Sequence, residues 1–315
     1  MKLLWIILGV AVGLALLVLA LSFACFILAF YSGKRRPLGP DEYQIPDGKI
    51  YEPFRDKMVQ WQKEMRALPQ EDVEIRSFDG LTLRGKYFES RPGAPLELMM
   101  HGYRGSGERD MCGGVPRAFA LGRNVLMIDQ RAAGRSDGHI ITFGIRERYD
   151  GLQWLRFIEK RFGPEQQVIL TGISMGAATV MLMSEMDLPK NVIGILADCG
   201  YSSAKDIMLK VIRQIHLPAR ILYPFVRLGG RLWGGFDIEE ASPIEAVKRA
   251  KVPIIFIHGE NDDFVPCEMS RLCYEACSTK KHFLNVPGAG HGLAFPIAPK
   301  EYLGALGEFF GVNIE

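Results

Sequence analysis

The sequence feature that most constrains the fold is a short apolar run leading into a serine flanked by glycines. Residues 168–171 (Val-Ile-Leu-Thr) precede Gly172-Ile173-Ser174-Met175-Gly176, and a second apolar run, 177–182, follows. A strand that turns tightly into a helix leaves no room for side chains at the turn, so glycines are needed there. The pattern predicts a strand–turn–helix unit with the Ser174 hydroxyl exposed at the turn.

Other polar residues follow apolar runs in a particular order along the chain. The run 96–100 leads into His101-Gly102-Tyr103-Arg104-Gly105, the run 252–258 leads toward Asp262, and 283–286 leads toward His291. Open α/β sheets place their sites at the carboxyl ends of strands, and the chain order Ser, Asp, His accompanies a serine at such a turn. We therefore expect these residues to form one site.

These motifs resemble the α/β-hydrolase superfamily, in particular its serine aminopeptidase, lysophospholipase and monoacylglycerol-lipase-like group. Residues 129–136 are similar to that group's D-x-R-G-x-G-x-S element, with Ala132 in place of the first glycine. The resemblance covers roughly residues 70 to 312 and implies an α/β-hydrolase fold. This fold has a mostly parallel, doubly wound sheet with a helical cap.

The resemblance assigns Ser174 as nucleophile, His291 as general base and Asp262 as the acid that orients the histidine. A serine hydroxyl needs a base within hydrogen-bonding reach, and the acid sets the histidine tautomer and stabilises the imidazolium. The backbone N–H groups of Tyr103 and Met175 are the implied oxyanion donors. Because the mechanism needs only water, we expect no cofactor.

The acid has alternatives within the same region of the fold. Asp263 could serve if the loop turned by one residue, and Asp198 ends the preceding strand, where some relatives place the acid. Asp129 is expected to order the loop around Arg131 instead of acting in catalysis.

Other candidate residues have structural interpretations. Ser174 could be a helix N-cap, His291 a surface loop residue, and His101 and His258 are expected to be structural. Four residues of metal-binding types lie near one another in sequence: Cys267, Cys273, Cys277 and His282. Because no C-x-x-C pair is present and cysteines often fill cores, we expect no metal site.

The N-terminal segment has no charged residue from Leu3 to Tyr31. As a helix it would be roughly 43 Å long, more than the ~30 Å hydrocarbon core of a bilayer requires. A cleaved signal peptide, with an apolar region of ~7–15 residues, is the alternative, and Ser22-Phe23-Ala24 is a poor cleavage site. We predict an uncleaved single-span membrane anchor over residues 1–33.

Orientation follows from the charges that flank this segment. Lys34, Arg35 and Arg36 come after it, whereas Lys2 and the terminal amine precede it, so the positive-inside rule favours a cytoplasmic hydrolase domain. Five cysteines lie outside the segment, an odd number without framework spacing, as expected in a reducing compartment.

The remaining chain divides into a linker region, 34–70, and a hydrolase domain, 71–315, with a cap at about 201–243. An amphipathic helix is predicted over 51–68, packed on the sheet edge or, alternatively, on a membrane surface. A two-residue turn at Asp79-Gly80 predicts a hairpin. Further strands are predicted at 96–101, 124–129, 167–172, 192–198, 252–258 and 281–286, and helices near 114–121, 146–161, 175–186, 267–277 and 300–310.

These features predict a membrane-anchored serine hydrolase that cleaves carboxylic esters, including lipid acyl esters, with an apolar acyl pocket beneath the cap. The alternatives are a serine peptidase of the same fold and a catalytically silent binding module. A net charge of +2, with no long basic run beyond residues 34–36, argues against a nucleic-acid partner.

Overall fold

An eight-stranded sheet organises the chain in the computed structural model, which describes residues 1–33, 36 and 38–311. The strands follow the order β1-β2-β4-β3-β5-β6-β7-β8. Among these eight, β2 alone runs in the direction opposite to the other seven. The strands are β1 (Glu71–Arg76), β2 (Thr82–Phe88), β3 (Leu96–Met100), β4 (Asn124–Asp129), β5 (Val168–Ile173), β6 (Val192–Asp198), β7 (Ile254–Gly259) and β8 (Lys281–Val286).

Helices connect the parallel strands and cover the sheet. They are α1 (Lys2–Ala29), α2 (Arg55–Ala67), α3 (Gly107–Met111), α4 (Gly114–Ala120), α5 (Glu147–Phe162), α6 (Met175–Met183), α7 (Ala204–Gln214), α8 (Ala219–Gly229), α9 (Pro243–Val247), α10 (Cys267–Ala276), α11 (Ala294–Ile297) and α12 (Pro299–Phe310). A 3₁₀ turn, Lys49–Phe54, precedes α2, and a π-helical turn, Gly230–Gly234, follows α8. The predicted α/β-hydrolase fold with a mostly parallel sheet is confirmed.

The central strands are buried on both faces, as parallel strands covered by helices must be. Every residue of β3, β4 and β7 is buried. The six strands predicted from 96 onward begin and end within two residues of the observed strands. Apolar runs bounded by glycine, proline and polar residues were sufficient to locate them.

The first connection differs from the predicted two-residue hairpin. Strand β1 ends at Arg76 and β2 begins at Thr82, so five residues join them. The Ser77 hydroxyl donates to Asp79 Oδ1 (2.6 Å) and accepts from the Leu81 N–H (2.8 Å). Because the Leu81 N–H donates to a side chain, Ser77 and Leu81 share one backbone hydrogen bond, from the Ser77 N–H to the Leu81 carbonyl oxygen (2.8 Å).

The amphipathic segment predicted over 51–68 is an α-helix only from Arg55 onward. Its beginning is 3₁₀, and Pro53, inside that turn, has no N–H for an α-helical hydrogen bond. Met65 belongs to a buried cluster that contains Val115 of α4 and also sheet residues, among them Phe88 of β2 and Met127 of β4, so α2 packs beside α4 against this part of the sheet.

Helix α1 has two parts that differ in exposure. From Leu3 to Leu21 every residue is exposed, and α1 contains an 18-residue window with mean hydropathy 2.9, so by length and composition it is a candidate membrane span. Beyond it, Ser22 and Phe26 are buried against the globular part, and the ring of Phe30 lies 5.0 Å from that of Phe236.

Candidate active site

Ser174 lies on a tight turn between β5 and α6. Its φ is +56°, a left-handed conformation that is strained for a residue with a side chain. A Cβ on Gly172 would lie 2.2 Å from the Gly176 backbone, and one on Gly176 would lie 2.1 Å from the Met100 carbonyl oxygen. Glycine at both positions is therefore required for β3, β5 and α6 to approach closely around the serine.

A chain of hydrogen bonds joins Ser174, His291 and Asp262. His291 Nε2 lies 2.9 Å from Ser174 Oγ, and His291 Nδ1 lies 2.6 Å from Asp262 Oδ2. The three residues follow β5, β8 and β7 respectively, so the parallel strands bring them to one edge of the sheet. In the neutral ring, Nδ1–H donates to the carboxylate, and Nε2 accepts the serine proton.

The Asp262 carboxylate is buried and accepts several hydrogen bonds. Oδ1 accepts from the backbone N–H groups of Phe264 (2.9 Å) and Val265 (2.8 Å). Burial alone would raise its pKa, but hydrogen bonds from His258 and His291 outweigh burial and hold the pKa of Asp262 well below its usual value. The group facing His291 is therefore a carboxylate anion at neutral pH.

His258, to which the sequence analysis gave only a structural role, contacts this carboxylate directly. Its Nε2 faces Asp262 Oδ2 (3.1 Å) and the Val265 carbonyl oxygen (2.9 Å), so a proton on Nε2 satisfies both acceptors. Its Nδ1 lies 2.7 Å from Ser270 Oγ. The sequence signal was a histidine at the end of a predicted strand, four residues before the aspartate.

The alternative acids lie in different environments. Asp263 is exposed, and its carbonyl oxygen accepts from Gln214 (2.9 Å). Asp198 is buried and its Oδ2 accepts from the Tyr302 hydroxyl (2.8 Å), and burial raises its pKa. Within the described residues, His291 hydrogen-bonds to neither of these carboxylates.

Asp129 joins two loops. It accepts from the backbone N–H groups of Gly107 and Arg135, each at 3.0 Å. Arg131 pairs with a different carboxylate: its Nε donates to Asp150 Oδ2 (2.6 Å).

The expected oxyanion donors are the residue that follows Ser174 in sequence and a loop residue near it in space. A Cβ on Gly102 would lie 3.4 Å from Ser174 Cβ, so the loop that contains Tyr103 packs against the serine. The Gly102 N–H donates to Asp110 Oδ2 (3.0 Å), which holds this loop. Across residues 1–33, 36 and 38–311, the backbone N–H groups of Tyr103 and Met175 have no hydrogen-bond acceptor.

Two cavities meet at Ser174. The larger, of about 570 Å³, is lined by polar and charged groups as well as aromatic rings. They include Asp47, Lys49, Trp61, Arg104, Arg109, Asp198, His291 and Phe295. The smaller cavity has a volume of about 220 Å³, and we call it the apolar cavity. Its walls include Cys25, Leu28 and Ala29 of α1, Met208, Val211 and Ile212 of α7, and Leu222 and Val226 of α8.

One group of potential metal ligands overlaps this site. Cys199 Sγ and ligand atoms of Asp262 and His291 lie within 4.8 Å of one another. Both ring nitrogens of His291 already hydrogen-bond to Ser174 and Asp262, and burial raises the pKa of the Cys199 thiol well above its usual value. A neutral thiol and an engaged imidazole are poor metal ligands, so the arrangement does not favour a metal.

Comparisons with known proteins agree with the observed fold. Residues 98–240 match the α/β hydrolase fold model, and residues 226–293 match the serine hydrolase (FSH1) model. The uncharacterized protein YqkD of Bacillus subtilis is 25% identical over 190 residues, which cover 60% of this chain and 62% of YqkD. Protein bem46 of Schizosaccharomyces pombe is 25% identical over 229 residues, 70% of each chain.

Among solved structures, the Pyrococcus furiosus esterase Pf2001 is similar with a TM-score of 0.64 at 21% identity. The alignment covers 89% of this chain and 98% of the esterase. The sheet order, the glycine-flanked serine turn and these matches lead to one conclusion: the chain has the α/β-hydrolase fold.

Proposed function

We propose that this α/β-hydrolase is a membrane-anchored serine hydrolase that cleaves carboxylic esters through an acyl-enzyme. One observation carries the proposal: Ser174 Oγ lies 2.9 Å from His291 Nε2, whose ring lies 2.6 Å from the Asp262 carboxylate, where the apolar and larger cavities meet. A serine, a base and an orienting acid at these distances are the parts that nucleophilic acyl transfer needs.

The proposed reaction has two halves. Ser174 Oγ attacks the ester carbonyl carbon while His291 Nε2 takes its proton, and the tetrahedral oxyanion accepts from the N–H groups of Tyr103 and Met175. The carbon–oxygen bond to the alcohol then breaks, and His291 gives its proton to the leaving alkoxide. Water attacks the acyl-enzyme with His291 again as base, which releases the carboxylic acid and restores the serine.

Asp262 acts on the histidine and not on the substrate. Its anionic carboxylate holds Nδ1–H in place and stabilises the imidazolium that forms when Nε2 takes the proton. His258, hydrogen-bonded to the same carboxylate oxygen, keeps that oxygen directed at the ring. We assign His258 as a positioning residue.

The contrast between the cavities supports an acyl ester as substrate. The apolar cavity suits the acyl chain, and the charged lining of the larger cavity suits a polar alcohol portion. The esterase Pf2001 and an acetyl xylan esterase of Thermoanaerobacterium share the fold, which agrees with this choice. A serine peptidase would use the same three residues, and a silent module would use none of them.

We also propose that α1 is a retained anchor and that the hydrolase domain faces the cytoplasm. The length and exposure of Leu3–Leu21 support a span, and the six cysteines are free thiols, as in a reducing compartment. Of the flanking cations, Lys34 and Arg35 lie outside the described residues, and Arg36 pairs with Glu42 at 2.6 Å. A membrane-impermeant protease should cut the hydrolase domain in inverted membrane vesicles and leave it intact in sealed cells.

The proposal is tested by labelling the full-length protein in detergent with a fluorophosphonate probe, beside Ser174→Ala. Labelling of the wild type that is lost in the variant is expected, with p-nitrophenyl esters hydrolysed faster than aminoacyl p-nitroanilides. Faster anilide hydrolysis would favour the peptidase. A folded wild type that neither labels nor hydrolyses either substrate would favour the silent module.

A further inference from the structure

A long stretch beside the apolar cavity carries positive charge only. From Ile207 to Phe236, thirty residues that include α7, α8 and the π-helical turn, no aspartate or glutamate occurs. Five cations lie in this stretch: Lys210, Arg213, Arg220, Arg227 and Arg231. Arg227 and Arg231 pair with Asp237, and Lys210 donates to the Phe264 carbonyl oxygen, whereas Arg213 and Arg220 are exposed. We call it the basic segment. Cations interspersed with apolar residues are typical of segments that lie on anionic membrane surfaces.

The basic segment exposes large apolar side chains to solvent. Ile221 is 65% exposed and Leu232 is 52% exposed, and three further residues, Ile215, Leu217 and Trp233, are also exposed. Exposed apolar residues that cluster on one segment mark an interaction surface more often than isolated ones do.

This segment packs on α1 where the exposed part of that helix ends. Leu3–Leu21 is nineteen residues, about 28 Å of helix, close to the ~30 Å hydrocarbon thickness. The next residue is Ser22, whose Oγ accepts from Trp233 Nε1 (3.3 Å). The Trp233 ring lies 5.1 Å from the ring of Phe23. A tryptophan at this level matches the aromatic belt of membrane interfaces.

The apolar cavity opens at the same level. Its α1 wall begins at Cys25, four residues and about 6 Å beyond Leu21, at the depth of lipid headgroups and their ester groups. Its lining includes the exposed side chains of Leu28, Ile215 and Leu217. The cavity that ends at Ser174 therefore begins beside the predicted position of the bilayer surface.

We propose that the basic segment docks on the bilayer beside α1, and that the acyl chain of a membrane lipid enters the apolar cavity directly from the bilayer. The occupant of this surface is the lipid itself, since the surface continues the exposed face of α1 and its exposed Arg213 and Arg220 complement anionic headgroups. The substrate is then a long-chain acyl ester embedded in the membrane, with its polar portion in the larger cavity. This inference rests on the proposed ester hydrolase.

Docking can be measured without any catalytic activity. In full-length Trp5→Phe protein reconstituted in anionic vesicles, three tryptophans remain, of which Trp154 is buried and Trp61 partly buried. Lipids with brominated acyl chains should quench part of the tryptophan fluorescence of Trp5→Phe. This quenching should be absent in Trp5→Phe/Trp233→Phe. Equal quenching with and without Trp233 would overturn the docking proposal.

Delivery of substrate from the bilayer is tested by Ile221→Glu/Leu232→Glu, two exposed residues that line neither cavity. Hydrolysis of a long-chain ester embedded in vesicles should fall about tenfold, with soluble p-nitrophenyl butyrate hydrolysis unchanged. The matched control is Leu272→Glu, an exposed leucine on α10 that also lines neither cavity, which should change neither rate.

The outcomes separate this inference from the proposed function. Quenching through Trp233 in a protein that hydrolyses neither ester would support docking and refute the ester hydrolase. Equal loss of both rates in the double variant, or no loss of either in an active enzyme, would overturn delivery from the bilayer. If Leu272→Glu lowered hydrolysis of the embedded ester as much as the double variant does, binding by another protein or general destabilisation would explain the effect. Docking would then be rejected.

Discussion

The two cavities that meet at Ser174 differ in the elements that build them. The larger is lined by loops that follow the strands and by the 3₁₀ turn before α2, and it contains charges of both signs. The apolar cavity is walled by α1, α7 and α8, elements outside the sheet, and its lining is almost wholly apolar. The sheet edge thus carries the chemical groups, and the added helices shape the space for an apolar chain.

This difference gives the proposed substrate a direction. An ester whose carbonyl lies at Ser174 would extend its acyl chain toward Met208 and its alcohol portion toward Arg104 and Arg109. Placing the acyl chain among these charges would remove water from charged groups without providing new hydrogen bonds, which is unfavourable. Changes on one side of Ser174 should therefore alter chain-length preference, and changes on the other side should alter alcohol preference.

The largest effect is expected where the cavities meet. Ser174→Ala removes the proposed nucleophile and should lower hydrolysis of short-chain and long-chain esters alike by about 10⁴–10⁶-fold. Initial rates on p-nitrophenyl butyrate and laurate, with a thermal melt to verify folding, provide the measurement. Survival of either activity would locate the nucleophile elsewhere.

Two aspartates at this edge of the sheet should differ strongly in their effect on turnover. Asp262→Asn removes the carboxylate that faces His291 and should lower kcat by about 10²–10⁴-fold. Asp198→Asn preserves an acceptor for the Tyr302 hydroxyl and should change kcat by no more than about threefold. Measured kcat values in the opposite order would assign Asp198 as the acid.

Filling each cavity in turn tests which one holds the acyl chain. Met208→Trp occupies the apolar cavity and should lower kcat/KM for laurate esters by about 10–100-fold, with butyrate esters little affected. Ile50→Trp, the matched change in the larger cavity, should leave the chain-length profile unchanged and shift preference among alcohols. If Ile50→Trp shortened the preferred acyl chain, the assignment of the two cavities would be reversed.

The smallest effect concerns the packing of α1 on α8. A Cβ on Gly229 would lie 2.4 Å from the Ser22 carbonyl oxygen, so Gly229→Ala should lower the free energy of unfolding by about 1–3 kcal/mol. Gly304→Ala on α12 meets nothing within 4 Å and should instead raise it by about 0.5–1 kcal/mol. Thermal denaturation in detergent compares them, and equal melting temperatures would show that α1 is not held against α8.

The sheet could be predicted from the sequence because its strands are apolar runs bounded by turn residues, and the order of the motifs determined which strand ends carry polar groups. Helices α3, α9 and α11, of five, five and four residues, were missed because such short segments show no periodicity. Hydrogen bonds join Ser174, His291 and Asp262. The resemblance assigned Asp262 in preference to Asp263, but the loop geometry that separates the two carboxylates is not encoded locally in the sequence.

The packing of α1 was beyond prediction for a different reason. A uniformly apolar segment has no polar face, so its pattern does not distinguish a freely exposed helix from one whose last turns pack on the protein. Ser22 and Phe26 carry no signal of their contact with α8. The contribution of Cys25, Leu28 and Ala29 to the apolar cavity could therefore be learned only from the structure.

The most direct test of the account is an experimental structure of the full-length protein after reaction with a long-chain alkyl fluorophosphonate. The account predicts phosphorus bonded to Ser174 Oγ, its oxygen within hydrogen-bonding distance of the N–H groups of Tyr103 and Met175, and the alkyl chain lying between α1 and α7. An adduct whose alkyl chain lies in the larger cavity, or an adduct at another residue, would contradict it.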